Sequence, residues 1–173
     1  MTVKIKRLDS TAVIPTRGSA YAAGYDLYAN IVHPFEENCS VEIKPGETQK
    51  VGTGIALEIP NGYFGAVFAR SGLATKQGLR PANCVGVIDS DYRGEIIVAI
   101  HNDSNETKTI KDADRIAQIV ILPYLDAEFV ETTELSDTDR GAGGFGSTDR
   151  SNLEKGKNIH QLSFDEYLDE NNI

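Results

Sequence analysis

Short runs of apolar and β-branched residues recur along the chain, with turn residues between them. The runs lie at 3–6, 41–43, 50–59, 63–68, 95–101, 107–110 and 116–122. Glycine, proline and asparagine separate them, as in Pro60-Asn61-Gly62. Alternation at 55–59 leaves Glu58 on the polar face, as in a half-buried strand. Many short strands at this spacing predict an all-β sandwich or barrel.

Two regions depart from this pattern. Residues 71–77 predict a short internal helix. From about residue 131 the chain becomes acidic and then rich in glycine, which predicts a mobile arm over 131–150 after a β domain at 1–130. A capping box predicts a short acidic helix within the extension 151–173. That helix either stays in solvent or docks on a neighbouring subunit or a protein partner.

Length, charge and cysteine content narrow the class of protein. The chain has 173 residues and two cysteines, so we expect one domain without a disulfide framework. The net charge of −9 argues against general binding to nucleic-acid backbones. No apolar run approaches about 18 residues, and the N-terminus lacks a signal-peptide pattern. We therefore predict a cytoplasmic protein that binds neither nucleic acid directly nor a membrane.

The most informative segment is NCVGVIDSDYRG at 83–94. It begins with a polar residue, continues as an apolar strand and ends in two carboxylates, a tyrosine and a turn glycine. One interpretation is a polar hairpin loop, in which Asp, Ser and Gly serve the turn itself. The other places the carboxylate of Asp89 at the mouth of a pocket beside the ring of Tyr92. Taken alone, the segment favours the loop.

The glycine-rich segment RGAGGFGST at 140–148 matches a dinucleotide-binding fingerprint, but no strand precedes it and no helix follows directly. A flexible linker is the simple alternative. Arg140, Phe145, Ser147 and Thr148 are unusual in a spacer. Glycines let backbone N–H groups approach phosphates, arginine adds charge and a phenylalanine ring stacks on a base. We therefore favour a nucleotide-binding role for this segment.

Three shorter segments carry polar groups next to strands. Arg70 and Ser71 stand where a strand gives way to the predicted helix, which favours an anion, although Ser71 also suits a helix N-cap. Asp26 follows a glycine turn. Arg115 and Gln118 interrupt an apolar strand, where burial is unfavourable unless they find partners.

Five segments, taken in order, resemble the motifs of the trimeric dUTPase family. They are AGYDL at 23–27, ARSGLA at 69–74, NCVGVIDSDYRG at 83–94, DRIAQ at 114–118 and RGAGGFGST at 140–148. The resemblance implies a distorted β jelly roll with a short internal helix, and a homotrimer in which the arm of one subunit closes another's active site. It also implies hydrolysis of dUTP to dUMP and pyrophosphate by attack of water at the α-phosphorus. That reaction keeps uracil out of DNA and supplies dUMP.

The resemblance also assigns roles to residues. Asp89 is the general base, and Tyr92 packs against the deoxyribose and excludes a ribose 2′-hydroxyl. The uracil is bound by Asn83, Gly86, Val87 and Ile88. The phosphates are bound by Arg70, Ser71 and Gln118, and the terminal phosphates by Arg140, Ser147 and Thr148. Gly72 and Gly146 are further substrate-binding residues, and Phe145 covers the uracil. Mg²⁺ is carried by the triphosphate, with support from Asp26 through water.

Two alternatives differ in chemistry. A dCTP deaminase-type relative has the same jelly roll but carries a glutamate in this hairpin, and here no glutamate precedes Glu95. A dUTP-binding regulator would use the fold to act through a protein partner, and the acidic extension at 151–173 motivates it.

Overall fold

The structure, a computed structural model, describes residues 1–31 and 39–144. These residues form twelve strands and one helix. Strands β1 to β6 run over Lys4–Arg7, Thr16–Arg17, Tyr25–Tyr28, Ser40–Ile43, Thr48–Gly52 and Ile55–Glu58. Strand β7, Tyr63–Phe68, leads into helix α1, Ser71–Gln77. Strands β8 to β12 run over Leu79–Pro81, Val85–Ile88, Ile97–Asn102, Lys108–Lys111 and Arg115–Pro123.

All strand pairs in the described residues are antiparallel. The largest sheet has five strands in the order β2-β3-β12-β7-β9, and a second has the order β5-β10-β8. Two further pairs are β1-β6 and β11-β4. Apolar side chains from most of these strands form one core that includes Leu27, Ile43, Ile100, Ile116 and Ile119. The prediction of an all-β fold with one short helix is confirmed.

Local chemistry explains where the observed elements differ from the predicted runs. The run at 50–59 forms two strands, because Gly54 takes a left-handed φ of 65° that turns the chain. Strand β8 was not predicted, because it is short and contains Pro81. It lies at the edge of its sheet, where a missing N–H is tolerated. Helix α1 has the predicted bounds, but Arg70 rather than Ser71 occupies its N-cap position.

The chain divides into two units, Met1–Ala127 and Glu128–Ile173. All of the strands and the helix belong to the first unit. In the second, residues 128–144 form turns without helix or strand, and the N–H of Gly141 donates to the carbonyl of Thr138 at 3.0 Å. The predicted division at residue 130 stays a prediction, and the helix predicted near the C-terminus lies outside the described residues. None of the described helices has the length and apolar character to cross a membrane.

Candidate active site

A pocket of about 260 Å³ lies beside β9. We call it the β9 pocket. It brings together six of the residues predicted to bind or act on the nucleotide: Asn83, Gly86, Val87, Ile88, Asp89 and Tyr92. Glu95, which the sequence did not single out, also lines it, together with Val67, Ile97 and Val98. The pocket therefore combines a side-chain amide, two carboxylates and an aromatic ring with apolar lining residues.

The position of β9 in its sheet gives the pocket a polar wall. The strand pairs only with β7 in the described residues, from Gly65 opposite Ile88 to Phe68 opposite Val85. It is an edge strand, so alternate N–H and C=O groups face away from β7 and are available to a ligand. At Gly86 a Cβ would lie 3.1 Å from the side-chain nitrogen of Asn83, so glycine leaves room for that amide.

The turn before β9 orients Asn83. Cys84 adopts a left-handed φ of 60°, which is uncommon for a residue with a side chain. A guanidinium nitrogen of Arg80 lies 3.6 Å from the sulfur of Cys84. The same guanidinium holds Asp103 through two hydrogen bonds, of 2.6 and 3.1 Å, and this pairing holds the pKa of the Asp103 carboxyl below its usual range. The turn is thus tied to β8 and to the residue after β10.

The loop after β9 carries the two aspartates. The N–H of Tyr92 donates to the carbonyl of Asp89 at 3.2 Å, which closes a tight turn. The guanidinium of Arg93 donates to the carbonyls of Ser90 and Tyr92 at 2.7 and 3.0 Å. Asp89 is exposed, and its carboxylate has no hydrogen bond to any residue of the described part of the chain. That carboxylate is therefore open to water and ligands at the pocket mouth.

A second polar site is built around the buried side chain of Asp26 on β3. One carboxylate oxygen accepts from Nε of Arg70 at 2.8 Å, and the other accepts from Nη1 of Arg115 at 3.3 Å. We call Asp26, Arg70 and Arg115 the arginine cluster. Arg70 also donates to the carbonyl of Arg115 at 3.5 Å. The cluster pairs two guanidinium groups with one carboxylate and so carries a positive charge of its own, and Asp114 also lines the cavity beside Arg70 and Arg115.

Other predicted phosphate ligands surround this cluster. Gln118 lies opposite Asp26 on the neighbouring strand and donates to the carbonyl of Ala69 at 2.9 Å. Ser71 and Gly72 begin α1 directly after Arg70 and are exposed. A Cβ at Gly72 would meet no atom of the described chain within 4 Å, so packing does not require glycine there.

The β9 pocket and the arginine cluster are separate within one chain. Arg70 and Arg115 line a different cavity, of about 190 Å³, that shares no residue with the β9 pocket. Arg70 follows the end of β7 that pairs with the start of β9, whereas Asp89 follows the other end of β9. The paired stretch between these ends is roughly 10 Å long.

The predicted residues of the glycine-rich segment belong to the second unit. Arg140 is exposed and donates to the carbonyl of Gly143 at 2.8 Å. Phe145, Gly146, Ser147 and Thr148 lie outside the described residues.

The sequence model of one protein family, dUTPase, matches residues 10–149. The chain belongs to the dUTPase family. It is 53% identical over 148 residues to the deoxyuridine 5′-triphosphate nucleotidohydrolase of Nautilia profundicola, which covers 86% of this chain and 99% of that relative. The match confirms the family that the five segments indicate, and all five lie within residues 10–149.

Solved structures of dUTPases share the fold. A mutant dUTPase of Staphylococcus bacteriophage 80alpha with dUpNHpp aligns with a TM-score of 0.73 and 29% identity, covering 85% of this chain and 98% of that one. A mutant dUTPase from phage phi11 of S. aureus, described with a structural Mg(II) ion, aligns with a TM-score of 0.65 and 26% identity, covering 78% of this chain and 98% of that one. These likenesses confirm the jelly-roll type of fold.

Two features of the described sites were not predicted from the sequence: the place of Glu95 in the β9 pocket and the partner of Arg115, which was expected, with Arg70 and Arg140, to offset the negative charge at a triphosphate. Glu95 follows the turn glycine and looks like the first residue of a strand, so nothing local marks it as part of a pocket. Arg115 was noticed as a polar interruption of an apolar strand, but its partner Asp26 lies 89 residues earlier. Residue spacing along the chain does not reveal such long-range pairs.

Proposed function

We propose that this chain hydrolyses dUTP to dUMP and pyrophosphate, with Asp89 as the general base. One observation carries the proposal: in a chain of the dUTPase family, the carboxylate of Asp89 is exposed, forms no hydrogen bond with any other described residue, and lines a pocket together with Asn83 and Tyr92. The reaction would keep uracil out of DNA and supply dUMP.

The base-binding part of the proposal rests on β9. A uracil ring presents N–H and C=O groups along one edge, and the free edge of β9 at Gly86, Val87 and Ile88 offers complementary backbone groups. Asn83 adds a side-chain amide, which both donates and accepts hydrogen bonds. A wall of backbone leaves little room for the methyl group of thymine, so we expect discrimination against dTTP.

The chemical step needs a water molecule placed on the α-phosphorus. Asp89 accepts a proton from this water as its oxygen bonds to phosphorus, the bond from the α-phosphorus to the bridging oxygen breaks, and pyrophosphate leaves. A positioned general base contributes about 10²- to 10⁴-fold to a rate. In this arrangement Tyr92 packs against the deoxyribose and excludes a ribose 2′-hydroxyl.

We propose that the phosphates bind to the arginine cluster with Ser71, Gly72 and Gln118 of another subunit. The support is the separation described above: Arg70 and Asp89 line different cavities of one chain. A homotrimer with shared sites would bring the two halves together. Two large apolar side chains outside the β9 pocket, Val85 and Leu125, are exposed in the single chain, as expected of a surface that a neighbouring subunit covers.

The glycine-rich segment is assigned by family resemblance. Arg140, Gly146, Ser147 and Thr148 would bind the terminal phosphates, and Phe145 would cover the uracil. The charge of Arg140 and the match of the family to residue 149 support this part. A protein partner for residues 151–173 and a cytoplasmic location stay predictions.

We propose Mg²⁺ as the cofactor. No group of three or more His, Cys, Asp or Glu side chains in residues 1–31 and 39–144 is arranged to hold a metal ion. Both oxygens of Asp26 already accept from arginines. This donor set fits an ion carried by the triphosphate, with Asp26 reached through water, because Mg²⁺ usually keeps several waters and binds substrate phosphates. Bound there, Mg²⁺ would neutralise phosphate charge.

Hydrolysis in ¹⁸O-labelled water tests the proposed site of attack. We expect one labelled oxygen in dUMP and none in pyrophosphate, because the attacking oxygen stays on the α-phosphorus. Mass spectrometry of both products gives the answer directly. Label in pyrophosphate would place the attack at the β-phosphorus and contradict the assignment, and release of ammonia from dCTP would favour the deaminase alternative. The names of the relatives favour the hydrolase.

A further inference from the structure

The β9 pocket contains a carboxylate that the proposed reaction does not use, that of Glu95. One of its oxygens accepts a hydrogen bond from the backbone N–H of Gly54 at 2.8 Å, in a partly buried position. Gly52 leaves the space that this carboxylate fills, since a Cβ there would lie 2.5 Å from the same oxygen. The side chain therefore ties the base of the loop after β9 to the turn between β5 and β6.

The peptide unit between Glu95 and Ile96 is also held by hydrogen bonds to residues at the turn between β5 and β6. Its N–H, from Ile96, donates to the carbonyl of Ile55 at 2.9 Å. The next carbonyl, that of Ile96, accepts from the backbone N–H and the hydroxyl of Thr53 at 3.2 and 2.6 Å. In a planar trans peptide the N–H and C=O point in opposite directions. The carbonyl of Glu95 is therefore held pointing away from Ile55.

That carbonyl accepts the hydroxyl of Tyr92 at 3.0 Å. Tyr92 is 43% exposed, so packing alone does not fix its ring. The contact also depends on Gly94, because a Cβ at that position would collide with the tyrosine hydroxyl. A chain of contacts thus runs from the β5–β6 turn through Glu95 to the ring of Tyr92.

We infer that Glu95 is a positioning residue that sets discrimination between deoxyribose and ribose nucleotides. Its side chain bonds the β5–β6 turn through Gly54, and together with the backbone bond from Ile96 to Ile55 this contact holds the Glu95 carbonyl that accepts the hydroxyl of Tyr92. The inference rests on the proposed function, in which this ring excludes a 2′-hydroxyl. A ring that loses its anchor occupies several positions, and some of them admit the extra hydroxyl of UTP.

The test compares kcat/KM for dUTP and for UTP in the full-length protein. For Glu95→Ala, we expect the ratio of dUTP to UTP to fall roughly five- to tenfold, the effect of losing one hydrogen bond. Glu95→Gln should restore the ratio, because its amide oxygen accepts the same N–H of Gly54. The matched control is Glu42→Ala, an exposed glutamate on β4 outside both sites, which should leave the ratio unchanged.

A second variant disturbs the hydrogen bond between the Tyr92 hydroxyl and the Glu95 carbonyl by moving the tyrosine rather than the glutamate. In Gly94→Ala the new methyl group displaces the hydroxyl of Tyr92 while Glu95 stays intact, so the ratio should fall by a similar factor. In a Tyr92→Phe background, which lacks the hydroxyl, Glu95→Ala and Gly94→Ala should each change the ratio less than they do in the wild type. Gly94→Ala tests the contact between Tyr92 and Glu95, and where Glu95→Ala fails to fold, Glu95→Asp tests the side-chain contact, because its carboxylate falls one methylene short of the N–H of Gly54 and should lower the ratio as well.

Each outcome has a defined meaning. An unchanged ratio in Glu95→Ala, with only a lower unfolding temperature, would show a merely structural role and overturn the inference. A ratio in Glu95→Gln as low as in Glu95→Ala would assign the effect to charge rather than to the acceptor oxygen, and would also overturn it. Wild-type protein that releases no pyrophosphate from dUTP would overturn the proposed function itself, an outcome distinct from the first two.

Discussion

Replacing Asp89 by asparagine is expected to lower kcat for dUTP by about 10²- to 10⁴-fold, because the water loses its general base. Binding of the nucleotide should change little. Asparagine has nearly the same shape, and the carboxylate of Asp89 forms no hydrogen bond within the described chain that the substitution would break. The measurement is steady-state pyrophosphate release together with the dissociation constant of a non-hydrolysable dUTP analogue.

Asp91→Asn is the matched control for this experiment. Asp91 lies in the same loop, two residues further on; it lines a surface cleft that Asp89 also borders, but it does not line the β9 pocket. Its replacement removes the same charge from the same loop and should leave kcat within about twofold, as for an ordinary surface substitution. Equal losses in both variants would mean that loop charge, and not a base at Asp89, supports turnover. Near-normal turnover in Asp89→Asn would contradict the proposal that Asp89 is the general base.

The second large effect is expected at Arg70. Arg70→Ala should lower kcat/KM for dUTP by about 10²- to 10³-fold, the usual result of removing a charged group that stabilises a reacting phosphate. The substitution removes one positive charge and leaves the buried carboxylate of Asp26 with Arg115 as its remaining ion-pair partner in the described chain. Kinetics at two ionic strengths would measure the effect and its electrostatic share.

Arg7→Ala is the control that distinguishes the effect of charge in the arginine cluster from the effect of the net charge of the chain. Arg7 is an exposed arginine on β1, outside both sites, and its removal changes the net charge by the same amount. We expect kcat/KM to stay within about twofold of the wild type. A comparable loss in both variants would contradict the proposal that the arginine cluster binds phosphate. The result for Arg70 also bears on Asp26, whose carboxylate orients the guanidinium group.

The sequence predicted the parts of the fold that local chemistry determines. Strand β7 and helix α1 have the predicted bounds, because an apolar run ends at Phe68 and Gly78 stops the helix with a φ of 69°. The break at Gly54 was missed, since residues on both sides of it favour strands. Strand β8 was missed because a three-residue segment that contains a proline is too short to show the alternation of apolar and polar residues that predicts a strand. Its existence depends on pairing with β10, a long-range contact.

The candidate site divides in the same way. Asn83, Asp89 and Tyr92 meet in one pocket because a single strand and its turns carry them, and the family resemblance of the five segments, rather than this motif alone, predicted their association. The ion pair of Asp26 with Arg70 joins residues 44 positions apart, and the bond of Glu95 to Gly54 joins residues 41 apart. These contacts form only in the folded chain. They orient side chains whose identity, but not whose orientation, can be read from the sequence motifs.

The most direct test of the central claim is pyrophosphate release from dUTP with Mg²⁺, measured beside dTTP, dCTP and UTP at equal concentrations. We expect rapid release from dUTP and far slower release from the other three, since the β9 pocket should reject the thymine methyl, the cytosine edge and the 2′-hydroxyl. Comparable release from all four would contradict recognition of uracil and deoxyribose in this pocket. No release from dUTP, with binding retained, would contradict the hydrolase and support a dUTP-binding regulator.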